Sequence, residues 1–256
     1  MLPTKLMEST IIPGEEGGRR RITKNSMSKF DPNKKKNHKA SLSQQAYSEL
    51  KEQIMTGKFS VGEHYLEPEI AEMLGISRTP AREALIRLAH EGLIDLKPRR
   101  GVQVKPLFVH DLKEIYEVLT SLESTAVWLA AKRKLADKEI QRLKSTVDEM
   151  DEALVGGDLD AWAAADVNFH MLLVELGNNS RIRQLVKTYF DQAHRERMLT
   201  LRLRPKPVDS NKDHRAVVEM IKKGNAEEAR RIHYEHREKA GDLLLSLLKS
   251  YGFTHL

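Results

Sequence analysis

From Val109 to the end of the chain, apolar residues recur at helical spacing, with no stretch of period-two alternation. The pattern predicts six helices. Asp111 caps the first, which runs to about Lys134 with Leu112, Ile115, Val118, Leu119, Leu122 and Ala126 inward. Asp137 caps the second, to about Val155, and Gly156-Gly157 ends it. Asp158 opens the third, to Leu176, closed by Gly177-Asn178-Asn179. The fourth runs from Ser180 to about Leu203, where Pro205 and Pro207 break it. The fifth spans Asp209 to Lys223 and the sixth Ala226 to about Lys249. Helices of this length make an all-α six-helix bundle.

The stretch Tyr65 to Val104 has a different rhythm. Two short amphipathic helices flank a turn at Leu74-Gly75-Ile76, and a basic hairpin with Lys97, Arg99, Arg100 and Gly101 follows. That order predicts a winged helix-turn-helix, a DNA-reading module of helices and a small β-hairpin. Ser77 suits an N-cap, and Pro80 is tolerated in a first turn. Arg78, Thr79 and Arg82 then sit at the exposed start of the second helix, where Arg can contact guanine bidentately. Ala84, Leu85, Leu88 and Ala89 take the core side. Two core helices with surface arginines are the alternative, but the turn glycine, Ser cap, first-turn arginines and basic loop all fall in order. The chain is mainly α and divides into a tail (residues 1–40), a winged unit (41–106) and a helical unit (107–256).

Composition adjusts this picture. The net charge of +6 lies wholly in residues 1–40, which carry ten of the 43 Lys/Arg and four of the 37 Asp/Glu; the remainder balances. The DNA-binding expectation therefore rests on where particular arginines sit, not on overall charge. Residues 1–40 are poor in apolar groups and read as disordered. Their basic clusters, Arg19-Arg20-Arg21 and Lys34-Lys35-Lys36, are either a non-specific phosphate contact or a solvated extension. The absence of cysteine excludes disulfides and thiolate metal sites. No apolar run approaches the roughly 18 residues of a membrane span, and no signal segment is legible, so a cytoplasmic, nucleoid-associated protein is expected.

Candidate chemistry lies in the helical unit. Asp166 and His170 are four apart on one face of the third helix; His214 and His236 fall on the apolar stripes of the fifth and sixth. Imidazoles plus a carboxylate suit a divalent ion such as Zn, Ni, Co or Mn. Taken singly, each histidine also reads as a hydrogen-bonded core residue, and Asp166/His170 as an intrahelical pair.

Ala46 to Val104 resembles the N-terminal domain of the GntR family of bacterial transcription regulators. The match spans the first helix, the Gly-x-hydrophobic-x-x-Gly turn from Gly57 to Gly62, the recognition helix and the wing. It implies that Arg78, Thr79 and Arg82 contact base edges or nearby phosphates, and that Arg99, Arg100 and Gly101 mark a wing tip reaching the minor groove. Glu67-Pro68 stands where the family often has a Ser or Thr cap. Residues 109–248 resemble the FCD effector domain of the FadR-like branch through LESTAVWLAA, AADVNFHMLLVELGNNSRI, KDHRAVVEMIKKGNAEEA and HYEHREK. The count of six helices points to the shorter, VanR-like type. The resemblance implies a divalent metal (Zn, Ni or Mn) on Asp166, His170, His214 and His236, with His233 a competing candidate. It further implies a small carboxylate effector at that metal, a homodimer and an inverted-repeat operator on double-stranded DNA. Repression relieved by ligand is the commoner behaviour. Arg195 and Arg197 are candidate effector contacts or exposed helix charges. Leu119 stands four residues before Glu123, where the family usually carries Arg. An enzyme using a metal to activate water is the rival reading, but no Gly-rich phosphate loop, HExxH or nucleophile elbow is present; a regulator sensing the metal itself is a third.

Overall fold

A computed structural model describes residues 41–97 and 100–253. The winged unit runs α1 (Leu42–Met55), β1 (His64–Tyr65), α2 (Glu67–Leu74), α3 (Arg78–His90), β2 (Ile94–Lys97) and β3 (Gly101–Val104). The three strands form one antiparallel sheet in the order β1-β3-β2, with Tyr65 opposite Val102 and Lys97 opposite Gly101. The Ser41 hydroxyl caps α1 by accepting from the Gln44 N–H at 3.2 Å. Between α2 and α3, Gly75 adopts φ +65°, a left-handed turn that a side chain would strain. Ser77 is the N-cap of α3 by backbone conformation, without a side-chain cap bond. Leu50, Ile54, Ile70, Leu74, Leu85 and Leu88 close a core against Val102 and Val104.

The helical unit comprises α4 (Val109–Lys132), α5 (Asp137–Gly156), α6 (Leu159–Leu176), α7 (Ser180–Gln192), α8 (His194–Leu201), α9 (Val208–Lys222) and α10 (Ala226–Ser250). Its architecture follows the apolar periodicity, and the differences are local. The helix expected over 180–203 is interrupted at Ala193, so the fourth helix of six is two segments. Asp111 is not an N-cap. α4 starts two residues earlier, and the Asp111 carboxylate accepts the Phe108 N–H at 3.2 Å from the first turn. Glu139 does the same for the Ala136 N–H at 2.9 Å, leaving Asp137 inside α5. Asp158 caps α6 as expected, accepting from the Ala161 N–H at 2.9 Å.

Two apolar clusters fill the bundle. One gathers Val127, Leu143, Met150, Phe169, Leu173 and Val217; the other gathers Leu112, Leu119, Val186, Phe190, Leu244 and Leu248. Trp162 Nε1 donates to Asn211 Oδ1 at 2.9 Å, and Asn211 Nδ2 to Asp151 Oδ1 at 2.6 Å, tying α6, α9 and α5. Among the described residues no helix is long and apolar enough to cross a membrane.

The two units meet through polar contacts at the α7–α8 break. Lys51 Nζ pairs with Glu91 at 2.9 Å and with Asp191. Gln192 Nε2 donates to the Glu91 carbonyl at 2.8 Å, and Arg195 Nη2 to the Lys105 carbonyl at 3.1 Å.

Candidate metal centre and nucleic-acid interface

The amphipathic α3 buries Ala81, Ala84, Leu85 and Leu88, so its remaining face is open. Arg78, Thr79 and Arg82 are exposed there, and none of the described acids lies within ion-pair distance of either arginine. They share a concavity of about 630 Å³ with Lys97 and Gly101 of the wing. Arg100 is exposed at the wing tip, while Arg99 lies outside the described residues, as does the tail over residues 1–40. Two guanidiniums at the start of α3 and a basic hairpin therefore front one surface, an arrangement suited to a phosphate-lined groove.

The second site is inside the bundle. α6 presents Asp166 and His170, α9 presents His214, and α10 presents His236, all buried. Ligand atoms of His170, His214 and His236 lie within 4.8 Å of one another. His214 Nε2 and His236 Nε2 are 3.1 Å apart; Asp166 Oδ1 is 3.6 Å from His170 Nε2 and 3.8 Å from His214 Nε2. Nitrogens sharing one ion at about 2.0–2.1 Å stand roughly 2.9–3.4 Å apart, so the donors fit one divalent cation after small rotations.

Outer partners orient these donors. His170 Nδ1 pairs with Glu123 Oε2 at 2.7 Å and His236 Nδ1 lies 3.5 Å from Asp213 Oδ2, which turns each Nε2 inward. Asp166 Oδ2 accepts from Arg197 Nη2 at 2.7 Å, leaving Oδ1 toward the imidazoles. Burial, reinforced by the neighbouring His236, holds His214 well below the usual histidine range, so it offers a lone pair. Burial also lowers His236. It opposes charge on His170 too, but Glu123 and Asp166 prevail and raise that pKa. Asp166 stays ionised despite burial, because His170 and Arg197 hold its pKa far below the usual range.

His233 belongs to a second trio with Glu123 and His170. Its Nε2 is 3.3 Å from Glu123 Oε2, and burial takes its pKa down to about 4. Arg237 Nη2, 3.4 Å from Glu123 Oε1, would repel a cation there, so the trio containing His236 suits a metal better.

The cage opens on a cavity of about 220 Å³. Arg197 lines it, whereas Arg195 is turned to the Lys105 carbonyl at the inter-unit joint and is not brought to the cavity. Arg204 and Arg237 line it as well, and sequence reasoning did not single them out. For Arg237 a signal existed: it lies one turn beyond His233 on the inward stripe of α10. Leu119, in place of the family's Arg, is buried in the apolar cluster.

Comparisons with known proteins match both units of the chain. Residues 42–104 match the family described as "Bacterial regulatory proteins, gntR family", and residues 114–239 match the FCD domain. The chain is 31% identical over 196 residues to the HTH-type transcriptional regulator YdhC of Bacillus subtilis, covering 75% of this chain and 87% of that relative. It is 30% identical over 193 residues to the Nta operon transcriptional regulator of Aminobacter aminovorans, covering 75% and 89%. Among solved structures, E. coli McbR/YncC superposes with a TM-score of 0.68 at 21% identity, covering 82% of this chain and 99% of that one. These relatives are transcription regulators rather than enzymes. With a winged unit, a helical unit and matches to both halves, the chain belongs to the GntR family of bacterial transcription regulators, in the group that carries an FCD domain.

Proposed function

We propose that the protein is a homodimeric repressor whose hold on an inverted-repeat operator is released when a small carboxylate binds beside a divalent metal on Asp166, His170, His214 and His236. The observation that carries this is the convergence of three imidazoles and a carboxylate, of which His170, His236 and Asp166 line a basic cavity, in a chain whose other unit fronts DNA-type chemistry. The nitrogen and oxygen donors suit Zn, Ni or Mn. The metal would supply positive charge and exchangeable positions for an anionic oxygen. Arg197 orients Asp166 and faces the same cavity, so it serves the effector as well. Arg78, Thr79 and Arg82 read base edges, and Arg99, Arg100 and Gly101 form the wing-tip contact. Two-fold pairing doubles the few base contacts that one winged unit offers.

The test is a metal titration followed by DNA release. Wild-type protein is stripped, then titrated with Zn, Ni and Mn, and its complex with a selected DNA site is challenged with small carboxylic acids. One ion per chain and release by acid are expected. His214→Ala should lower metal affinity by more than the roughly 10–100-fold that loss of an outer partner costs. Release by metal alone would instead make the ion the signal. Absence of stoichiometric binding of all three metals would overturn the metal reading.

A further inference from the structure

The cavity contains more positive charge than one carboxylate needs. Arg197, Arg204 and Arg237 all line it. Arg197 and Arg237 stack near the same Phe190 ring, their Cζ atoms 4.3 and 5.8 Å from its centroid. Arg197 is matched by Asp166. Arg237 shares Glu123 with His170 and is 2% exposed, and its Nε and Nη2 make no hydrogen bond. Arg204 has no carboxylate within 4.0 Å among the described residues. Its bonds go to neutral acceptors, Thr200 Oγ1 at 2.6 Å and the Arg197 carbonyl at 3.3 Å. Burial lowers its pKa and repulsion from Arg197 and Arg237 adds to that, against opposing contributions from Tyr116 and Asp166.

A half-buried guanidinium facing only neutral oxygens, beside a buried one with unused donors, is a place for an anion. Arg197 gives Nη2 to Asp166 on the imidazole side and keeps a buried Nη1 without a partner, so Arg204 and Arg237 offer a second cationic place beside it. We propose that the cavity takes a small organic dianion, one carboxylate at the His170–His214–His236 side and the second on Arg204 and Arg237. This rests on the effector reading above and narrows it. The volume of about 220 Å³ falls below the roughly 300–1,000 Å³ of drug-sized pockets, so the two anions are joined by a short chain. Lys206, Lys239, Asp209 and Asp213 also line the cavity, with Asp209 paired to Lys212 and Asp213 to His236.

Calorimetry on zinc-loaded wild-type protein at fixed ionic strength tests it, with chain-matched probes: butyrate against succinate, and valerate against glutarate. A diacid should bind at least about tenfold tighter than its matched monoacid, the order expected for added charge-assisted hydrogen bonds. Arg204→Gln should bring the diacid down to the affinity of the monoacid. Arg204→Lys, which keeps the charge without the fork, should recover part of the difference, with circular dichroism reporting the fold of both. Equal affinity for the two members of each pair in wild type would overturn the dianion proposal while leaving the carboxylate reading intact. Equal weakening of both acids by Arg204→Gln would also overturn it. Binding of neither acid to zinc-loaded protein would overturn both readings.

Discussion

Glu196 is buried on α8 with no hydrogen-bond donor at either carboxylate oxygen, and Arg195 Nη2 is 3.9 Å from Oε1. Burial raises its pKa. A raised carboxyl pKa makes the folded state the better proton binder. Stability is then full below the ordinary glutamate value of about 4.3 and falls as pH rises toward the raised value. Glu196→Gln should therefore raise the melting temperature by a few degrees at pH 8, and by less at pH 5, in a pair of thermal melts. A decrease at pH 8 would mean that the carboxylate is satisfied in solution. Other single residues differ in how far sequence exposes them. His170, His214 and His236 stand out because each interrupts an apolar stripe. Glu123 gave a similar signal, a charge on the inward face of α4. Arg204 gave none: it follows the end of α8 beside Pro205, where no periodicity says which way a side chain turns.

At the scale of elements, the wing depends on one backbone conformation. Gly101 has φ +85°, and a Cβ there would stand 2.2 Å from the Tyr65 carbonyl oxygen. Gly101→Ala should strain the hairpin by about 1–3 kcal/mol, separate β3 from β1 and weaken DNA binding while the helical unit melts as before. Calorimetric melting with a DNA titration checks this, and unaltered DNA affinity would show that the wing tip is not used. The hairpin was legible because its glycine and basic residues sit between two apolar runs. The break between α7 and α8 was not. Ala193 is a good helix former, and no Gly or Pro marks the place. What distinguishes it is tertiary: Gln192 and Arg195 reach the winged unit from either side. The starts of α4 and α5 were misplaced for a related reason. An acid at the third position and one at the cap look alike in sequence, and the bonds to the Phe108 and Ala136 N–H groups distinguish them.

At the scale of the molecule, the joint between units is narrow and charged. Lys51 pairs with Glu91 and Asp191, and Tyr47 donates to Glu91 at 2.8 Å. Although burial opposes it, Lys51 and Tyr47 hold Glu91 below the ordinary glutamate value. A lowered carboxyl pKa gives stability that is complete above about 4.3 and is lost as pH falls through the lowered value. Glu91→Gln should thus melt lower than wild type at pH 7, by the equivalent of about 1–3 kcal/mol, and the gap should close as pH drops below 4.3. A gap that persists in acid would assign the loss to packing. Nothing in the sequence pairs Lys51 with Asp191, because local periodicity cannot report contacts that span 140 positions.

The same joint limits how freely the halves can be exchanged. Three of its contacts start from Asp191, Gln192 and Arg195, and two of their acceptors are the main-chain carbonyls of Glu91 and Lys105. Any winged unit of this fold offers carbonyls there, so a transplanted reading head keeps those two grips whatever its side chains. The exception is Lys51, which must travel with it. A hybrid regulator spliced near Pro106 should therefore inherit the cavity's specificity from one parent and its operator from the other. It should keep communication between them only when the donor head carries a cation at the position of Lys51.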